Sequence, residues 1–300
     1  MTTQPEPGSG PTDPTLRVLV SERRQVISVA YRLLGSRADA EDVVQETYAR
    51  WYAMTPEQQE AIDVPGAWLT KVAGRICLDQ LRSARVRRER YVGEWIPEPI
   101  PEPDGGSDPA DRITLDESVS MAFLVVLDAM TPAERVVFVL HDIFRYSFAE
   151  VAEVAGRSPE ACRQLATSAR RRVAASPAPV TPAARQASVV REFRQAWEAK
   201  DIDALVGLLD PNATVVADGG GLAAALLRPI EGRDQVARFA VTLAERAPRL
   251  RFLERTVNGE PGLIAQVDGV TTAVIAFEVD GALITRIWSV RNPEKLHSWR

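Results

Sequence analysis

Cysteine is scarce in this chain. The 300 residues contain two, Cys77 and Cys162, both inside helical patterns. That number and placement speak against a disulfide framework and against a zinc site; buried small side chains are the expected role, and no metal is expected. Long apolar runs are missing as well. The longest, Met121–Leu127, is too short to cross a bilayer, so no membrane partner is expected. Residues 1–14 carry neither Lys nor Arg and no apolar core. They exclude a secretory signal and predict a disordered tail, which makes a cytoplasmic protein the expectation. Positive charge is not in excess: 36 Lys and Arg stand against 41 Asp and Glu, a net of −5. The whole molecule is not a nonspecific polycation, and any contact with nucleic acid has to come from local patches.

At this length two or three domains are expected. Residues 15–92 have a helical pattern. Residues 93–112 form a Pro-rich linker whose prolines, from Pro97 to Pro103, cannot continue a helix. Residues 113–175 are helical again, and 176–184 make a second, Pro/Ala-rich linker. From residue 185 to 300 the texture changes. Two helical stretches lead into β-branched runs with turn signals at Asn258-Gly259, Asp268-Gly269 and Asp280-Gly281, which reads as an α+β domain. The fold class is therefore multidomain: two all-α modules followed by an α+β unit.

Residues 131–173 read as a helix-turn-helix. Thr131-Pro132 opens a helix with Pro at its first position. Phe148–Ala155 is a short helix stopped by Gly156. Ser158-Pro159 starts a third helix that ends in Arg170-Arg171-Arg172. Cys162, Leu165, Ala166 and Ala169 repeat at helical spacing and face inward. Glu160, Arg163, Gln164, Thr167 and Arg171 then face out. Arg163 and Gln164 suit guanine and adenine edges, and Thr167, Arg170 and Arg172 suit phosphates. A three-helix bundle with a solvated basic end has the same pattern of apolar positions.

Two helices of opposite character precede it. In Ala38–Ala53, Val44, Thr47, Tyr48 and Trp51 share one face while Asp39, Asp42 and Glu46 share another. A solvated face and a docking surface both satisfy that spacing. In Val64–Arg85, Trp68, Leu69, Val72 and Ile76 form an apolar stripe, and Lys71, Arg75, Arg82 and Arg85 another; Arg87, Arg88 and Arg90 follow. Residues 65–90 thus hold seven basic residues against Asp79 and Glu89, a local net of +5. A polyanion or an acidic surface is the partner such a patch requires. Trp51, Trp68 and Tyr52 are either core residues or stacking faces for unpaired bases. The loop 53–65, with Met54, Thr55 and Pro56, is the expected capture loop for an extruded base. The linker is acidic: Glu94, Glu98, Glu102, Asp104, Asp108, Asp111, Asp116 and Glu117 stand against Arg112 alone. It reads either as a nucleic-acid mimic or as a solvated spacer.

Taken together, residues 15–174 resemble the extracytoplasmic-function (ECF) sigma factors of bacterial RNA polymerase. Tyr31–Thr47 is similar to their region two, Ala67–Ser83 to the helix that melts and reads the start-proximal promoter element, and Thr131–Val173 to region four, which reads the upstream element. Cys162 departs from the larger aliphatic residue usual there. The resemblance implies core RNA polymerase and promoter DNA as partners. It places polymerase binding on Asp39, Glu41, Asp42, Gln45 and Glu46. It places DNA binding on Lys71, Arg75, Arg82, Arg85, Arg87 and Arg88, and on Ser158, Arg163, Gln164, Thr167, Arg170, Arg171 and Arg172. Residues 185–300 resemble the SnoaL-like branch of the NTF2-like fold, a curved sheet and helices around an apolar pocket.

Three signatures are similar to those of sigma factors with this extension: Trp95-Ile96-Pro97-Glu98-Pro99, Asp218-Gly219-Gly220-Gly221 and Asn292-Pro293-Glu294-Lys295-Leu296. The first and third differ by one conservative change each from the commoner Trp-Leu-Pro-Glu-Pro and Asn-Pro-Asp-Lys-Leu. The resemblance implies that the extension regulates in cis. Trp95, Pro97, Glu98 and Pro99 are expected to dock near Asp218–Gly221 or Asn292–Leu296, closing the chain as a clamp. Cone-shaped folds of this kind often catalyse with an Asp–His or Asp–Tyr pair. Here His141 and His297 are the only histidines, no tyrosine follows Tyr146, and Asp218 lacks an obvious partner. No enzymatic activity and no cofactor are expected. A small-molecule or protein ligand of the pocket stays open, as does a helix-turn-helix repressor or ligand sensor fused to a SnoaL-like enzyme.

Overall fold

The computed structural model describes residues 14–88, 91–102, 119–176 and 181–299. The tail before Pro14, Arg90, and the linker acids Asp104, Asp108, Asp111, Asp116 and Glu117 lie outside the described residues, as does Arg112.

The first module is built from α1 (Pro14–Leu34), α2 (Arg37–Tyr52), α3 (Pro56–Glu60) and α4 (Pro65–Arg88). Ser36 caps α2 by accepting from the Asp39 N–H, which satisfies a donor the helix itself leaves open. The segment expected to be a capture loop contains a helix instead. Thr55 and Gln58 form a reciprocal capping box with Pro56 at the first helical position, which is enough to start the single turn of α3. Trp51 is buried and meets Trp68 edge-to-face, ring centroids 5.3 Å apart. Its stacking reading is therefore replaced by core packing; Tyr52 remains exposed.

The second module comprises α5 (Met121–Asp128), α6 (Pro132–Phe138), α7 (Phe148–Ala155) and α8 (Pro159–Ala175). The helix opened by Thr131-Pro132 does not stay α-helical: Val139–Ile143 is a π turn. Thr131 with Glu134 and Ser147 with Glu150 make capping boxes, and Gly156 closes α7 at φ 63°. One apolar core runs through both modules, from Val26, Leu33 and Leu69 to Val136, Leu140, Val154 and Ala166. Composition had separated the two modules; packing joins them. Buried Arg135 spans the join, donating 2.8 Å bonds to the Leu33 carbonyl and to the Asp128 carboxylate.

The C-terminal unit has three helices where the periodicity suggested two: α9 (Ala183–Ala199), α10 (Ile202–Leu208) and α11 (Arg233–Arg246). Its strands are β1 (Leu209–Asp218), β2 (Ile230–Glu231), β3 (Leu250–Val257), β4 (Glu260–Val267), β5 (Val270–Asp280) and β6 (Leu283–Val290). They form one sheet in the order β2-β1-β6-β5-β4-β3, antiparallel except for the β1–β6 pair. Asn258-Gly259 and Asp268-Gly269 have positive φ at both positions, the geometry that a two-residue hairpin requires. Side chains alternate across the sheet. Ala273, Ile275, Phe277 and Val279 join α9 and α11 in an inner core. Val274 and Ala276, with Trp288 and Val290, face the other way and pack on Ile96, Met121 and Ala122. The outer face of the sheet is thus covered by the linker and by the first helix of the second module.

Candidate nucleic-acid interface and interdomain junction

Helix α2 presents its carboxylates outward. Asp39, Asp42, Gln45 and Glu46 are exposed and Glu41 is half-buried, while Ala40, Val43, Val44 and Thr47 are buried beneath them. Arg37 pairs with Glu41 at 2.9 Å and Arg50 with Glu46 at 2.6 Å. Exposed pairs of this kind contribute about 0–1 kcal/mol, so they give way readily to a basic partner.

The basic side chains of α4 divide into three groups. Lys71 pairs with the Glu153 carboxylate of α7. Arg75 donates from Nη2 to the Glu153 carbonyl at 3.0 Å. Arg82 pairs with Asp79 of its own helix at 3.2 Å. Arg85, Arg87 and Arg88 continue α4, their side chains outside those described. Between Lys71 and Arg75 the two helices touch closely: a Cβ added at Gly74 would lie 2.8 Å from a Val154 methyl and 3.5 Å from Leu140. The basic face of α4 is in part a surface for α7.

The outward face of α8 is open. Ser158 caps it, accepting from the Ala161 N–H, and Cys162, Ala166 and Ala169 are buried. Arg163, Gln164, Thr167, Arg170, Arg171 and Arg172 are exposed. Arg163 pairs with Glu160 at 2.8 Å and lies over the Phe148 ring. Arg170 pairs with Asp142 at 2.6 Å and Arg172 reaches Glu134 at 3.7 Å.

The three short signatures meet at one point. Asp218 is fully buried at the end of β1. One carboxylate oxygen accepts from Lys295 Nζ at 2.7 Å and from the Ile96 N–H at 3.0 Å; the other accepts from the Tyr91 hydroxyl at 2.6 Å and the Gly220 N–H at 3.0 Å. Lys295 also donates to the Ile96 carbonyl at 2.5 Å and lies over the Trp95 ring, 4.1 Å from its centroid. Charges taken out of water in this way are tolerated only when every lone pair and proton is used. Asn292 donates to the Tyr91 oxygen at 3.0 Å and accepts from the Glu294 N–H, with Pro293 opening the short turn that brings Lys295 inward and Leu296 into the outer core. Gly220 stands at φ 62°, where any Cβ would overlap the Asn292 side chain; a Cβ on Gly219 would overlap the Ala223 carbonyl, while one on Gly221 would lie 3.2 Å from Val92.

The same linker segment grips the first module. Glu98 accepts from the Arg37 N–H at 2.7 Å, its own N–H donates to the Gly35 carbonyl, and its carbonyl accepts from Tyr31 at 2.6 Å. Burial raises the Glu98 pKa above the usual carboxylate value against the pull of those helix-terminal donors. Trp299 donates to the Pro99 carbonyl, and Pro97 packs near Gly35.

Sequence reasoning missed Asn258. It is buried at the tip of the β3–β4 hairpin. Its side-chain N–H donates to Tyr31 at 3.0 Å and to the Val119 carbonyl at 2.8 Å, and its side-chain oxygen accepts from Ile100 at 3.0 Å. An Asn-Gly turn explains itself as a hairpin, which hid the second role. Tyr91 and Tyr31 were missed too; no spacing rule marks either.

The Sigma-70 region 2 family matches residues 19–87, the Sigma-70 region 4 family residues 120–173, and the SnoaL-like domain family residues 190–289. The chain is 41% identical over 285 residues to the ECF RNA polymerase sigma factor SigJ of Mycobacterium tuberculosis, covering 91% of this chain and 90% of that one. This chain is an ECF sigma factor. A probable ECF sigma factor of the same organism, SigI, is 33% identical over 297 residues, 96% of this chain and 97% of its own. The crystal structure of SigJ superposes with a TM-score of 0.77 at 37% identity, covering 94% of this chain and 98% of the other. In this sigma factor, Trp95–Pro99 and Asn292–Leu296 fall outside the three matched ranges, so the junction is built largely from segments between and beyond those matches. No helix among the described residues is long and apolar enough to cross a membrane.

Proposed function

We propose that this sigma factor binds core RNA polymerase through the acidic face of α2, reads promoter DNA through α4 and α8 to start transcription, and is held closed in cis by its C-terminal domain. The observation that carries the regulatory part is Asn258. One side chain of the C-terminal domain bonds to the first module at Tyr31, to the linker at Ile100, and to Val119 at the entry to the second module. Asp218 and Lys295 fasten the linker a second time. In that arrangement Lys71 and Arg75 are engaged by Glu153, and α4 cannot offer both to phosphates while α7 occupies them. Polymerase, whose basic surface is steered to α2 from the open side, is the partner that favours the open state; it shifts the balance only by binding that state more tightly.

We assign the C-terminal domain a regulatory role rather than a catalytic one. Among the described residues lining its cavity there is no His, Asp, Glu or Tyr, so proton transfer has no agent there. The test is run-off transcription with purified core polymerase. Full-length protein, a Lys295→Asp variant and a chain ending at Val180 should all start at the same promoter, with different yields. Equal yields from all three would overturn regulation in cis; no product from any would overturn the sigma assignment.

A further inference from the structure

The inner face of the sheet, α9 and α11 line a cavity of about 340 Å³ that is open to solvent on one side, at the small end of the range for small-molecule sites, roughly 300–1,000 Å³. Its walls are apolar: Phe193, Trp197, Val236, Phe239, Leu243 and Ile275 among them. The Trp197 indole N–H is already used by the Ala240 carbonyl at 2.6 Å, so the wall offers no spare donor there. The polar side chains of its lining are Ser289, Arg291 and Arg246, of which Arg246 is exposed at the surface. Among the described residues, neither arginine has a carboxylate partner. Arg291 is half-buried, with burial lowering its pKa, and its guanidinium bonds the carbonyl of Ala224.

We propose that this cavity binds a small apolar carboxylate, its acid group held by Arg291 and its body by the aromatic and aliphatic walls. A guanidinium with one carbonyl partner has donors to spare, and a planar carboxylate matches them two at a time. A nucleotide or sugar phosphate would bury hydroxyls against walls that cannot bond them. A neutral hydrocarbon would leave Arg291 unused.

The site reaches the junction through the backbone. The Arg291 N–H donates to the Asp218 carbonyl at 2.7 Å, and Ala224 belongs to the segment that follows Gly219–Gly221. A carboxylate that takes the guanidinium from Ala224 loosens that segment directly beside Asp218. This coupling rests on the regulatory reading above; the binding site does not.

The probe is decanoate, titrated calorimetrically into the full chain below its micellar range, against decanol as the neutral counterpart. Decanoate should bind about tenfold more tightly, as expected of a charge-assisted pair. Arg291→Gln should erase that preference while leaving decanol binding and the circular dichroism spectrum unchanged, and Leu243→Trp, which fills the cavity, should weaken both ligands. Equal affinity for acid and alcohol, an unchanged preference in Arg291→Gln, or no saturable binding at millimolar ligand would overturn the site. Saturable binding that changes neither run-off yield nor hydrogen exchange at residues 91–96 would overturn the coupling alone.

Discussion

Lys295 and Asp218 show what a buried pair does for an interface. Each is buried, and each completes hydrogen bonds to the linker as well as to its partner. Removing one charge strands the other. Lys295→Met should cost about 3–5 kcal/mol in chemical denaturation, while the double variant Asp218→Asn with Lys295→Met should lose less than the sum of the two single changes. Glu260 gives a pH dependence of defined sign. Burial, with Glu278 nearby, pushes its pKa from 4.5 up to about 7, against a hydrogen bond from Gln186. The folded state therefore holds a proton that the unfolded chain releases. The stability this group contributes is complete below pH 4.5 and is lost as the pH rises through 7. Glu260→Gln should leave the melting temperature unchanged at pH 4.5 and raise it at pH 8; a gain that grows toward acid pH would contradict this.

At the scale of elements, the α4–α7 contact decides whether the basic face of α4 is available. The Lys71–Glu153 pair is partly exposed and contributes about 0–1 kcal/mol. Closure therefore depends more on Gly74, whose missing side chain lets Val154 approach. Gly74→Leu should open the pair of modules and strengthen binding of the free protein to duplex DNA, with a steeper salt dependence as Lys71 and Arg75 reach phosphates. On α8, Arg163→Ala should weaken upstream-element binding in the polymerase complex by about 1–3 kcal/mol at one base position, and affect other sequences less. The helices were legible because apolar residues recur at 3.6-residue spacing, as in Cys162, Leu165, Ala166 and Ala169. The hairpins were legible from Asn-Gly and Asp-Gly. What could not be read were the places where one element answers to another. The α10 helix is too short to show a period, Gly74 looks like a flaw in α4, and Asn258 is fully accounted for by its turn. The linker signature was visible as residues, but the bonds from Glu98 to Gly35 and Arg37 depend on a chain reversal that no local pattern specifies.

At the scale of the whole molecule, the described residues form three apolar cores, and their boundaries do not follow the domain boundaries. The first joins both DNA-binding modules, the second lies inside the C-terminal unit, and the third sits between the sheet, the linker and α5. The C-terminal domain therefore braces a pair already in contact. On the proposed function, this brace keeps the modules together until polymerase separates them. The direct measurement is the distance between spin labels at Arg50 on α2 and Gln164 on α8, two exposed sites; Cys77 and Cys162 are buried and do not compete for label. The free full-length protein should give a single short distance. Addition of core polymerase should shift it to a longer one, and Lys295→Asp should populate the longer distance without polymerase. One unchanged distance under all three conditions would contradict the account.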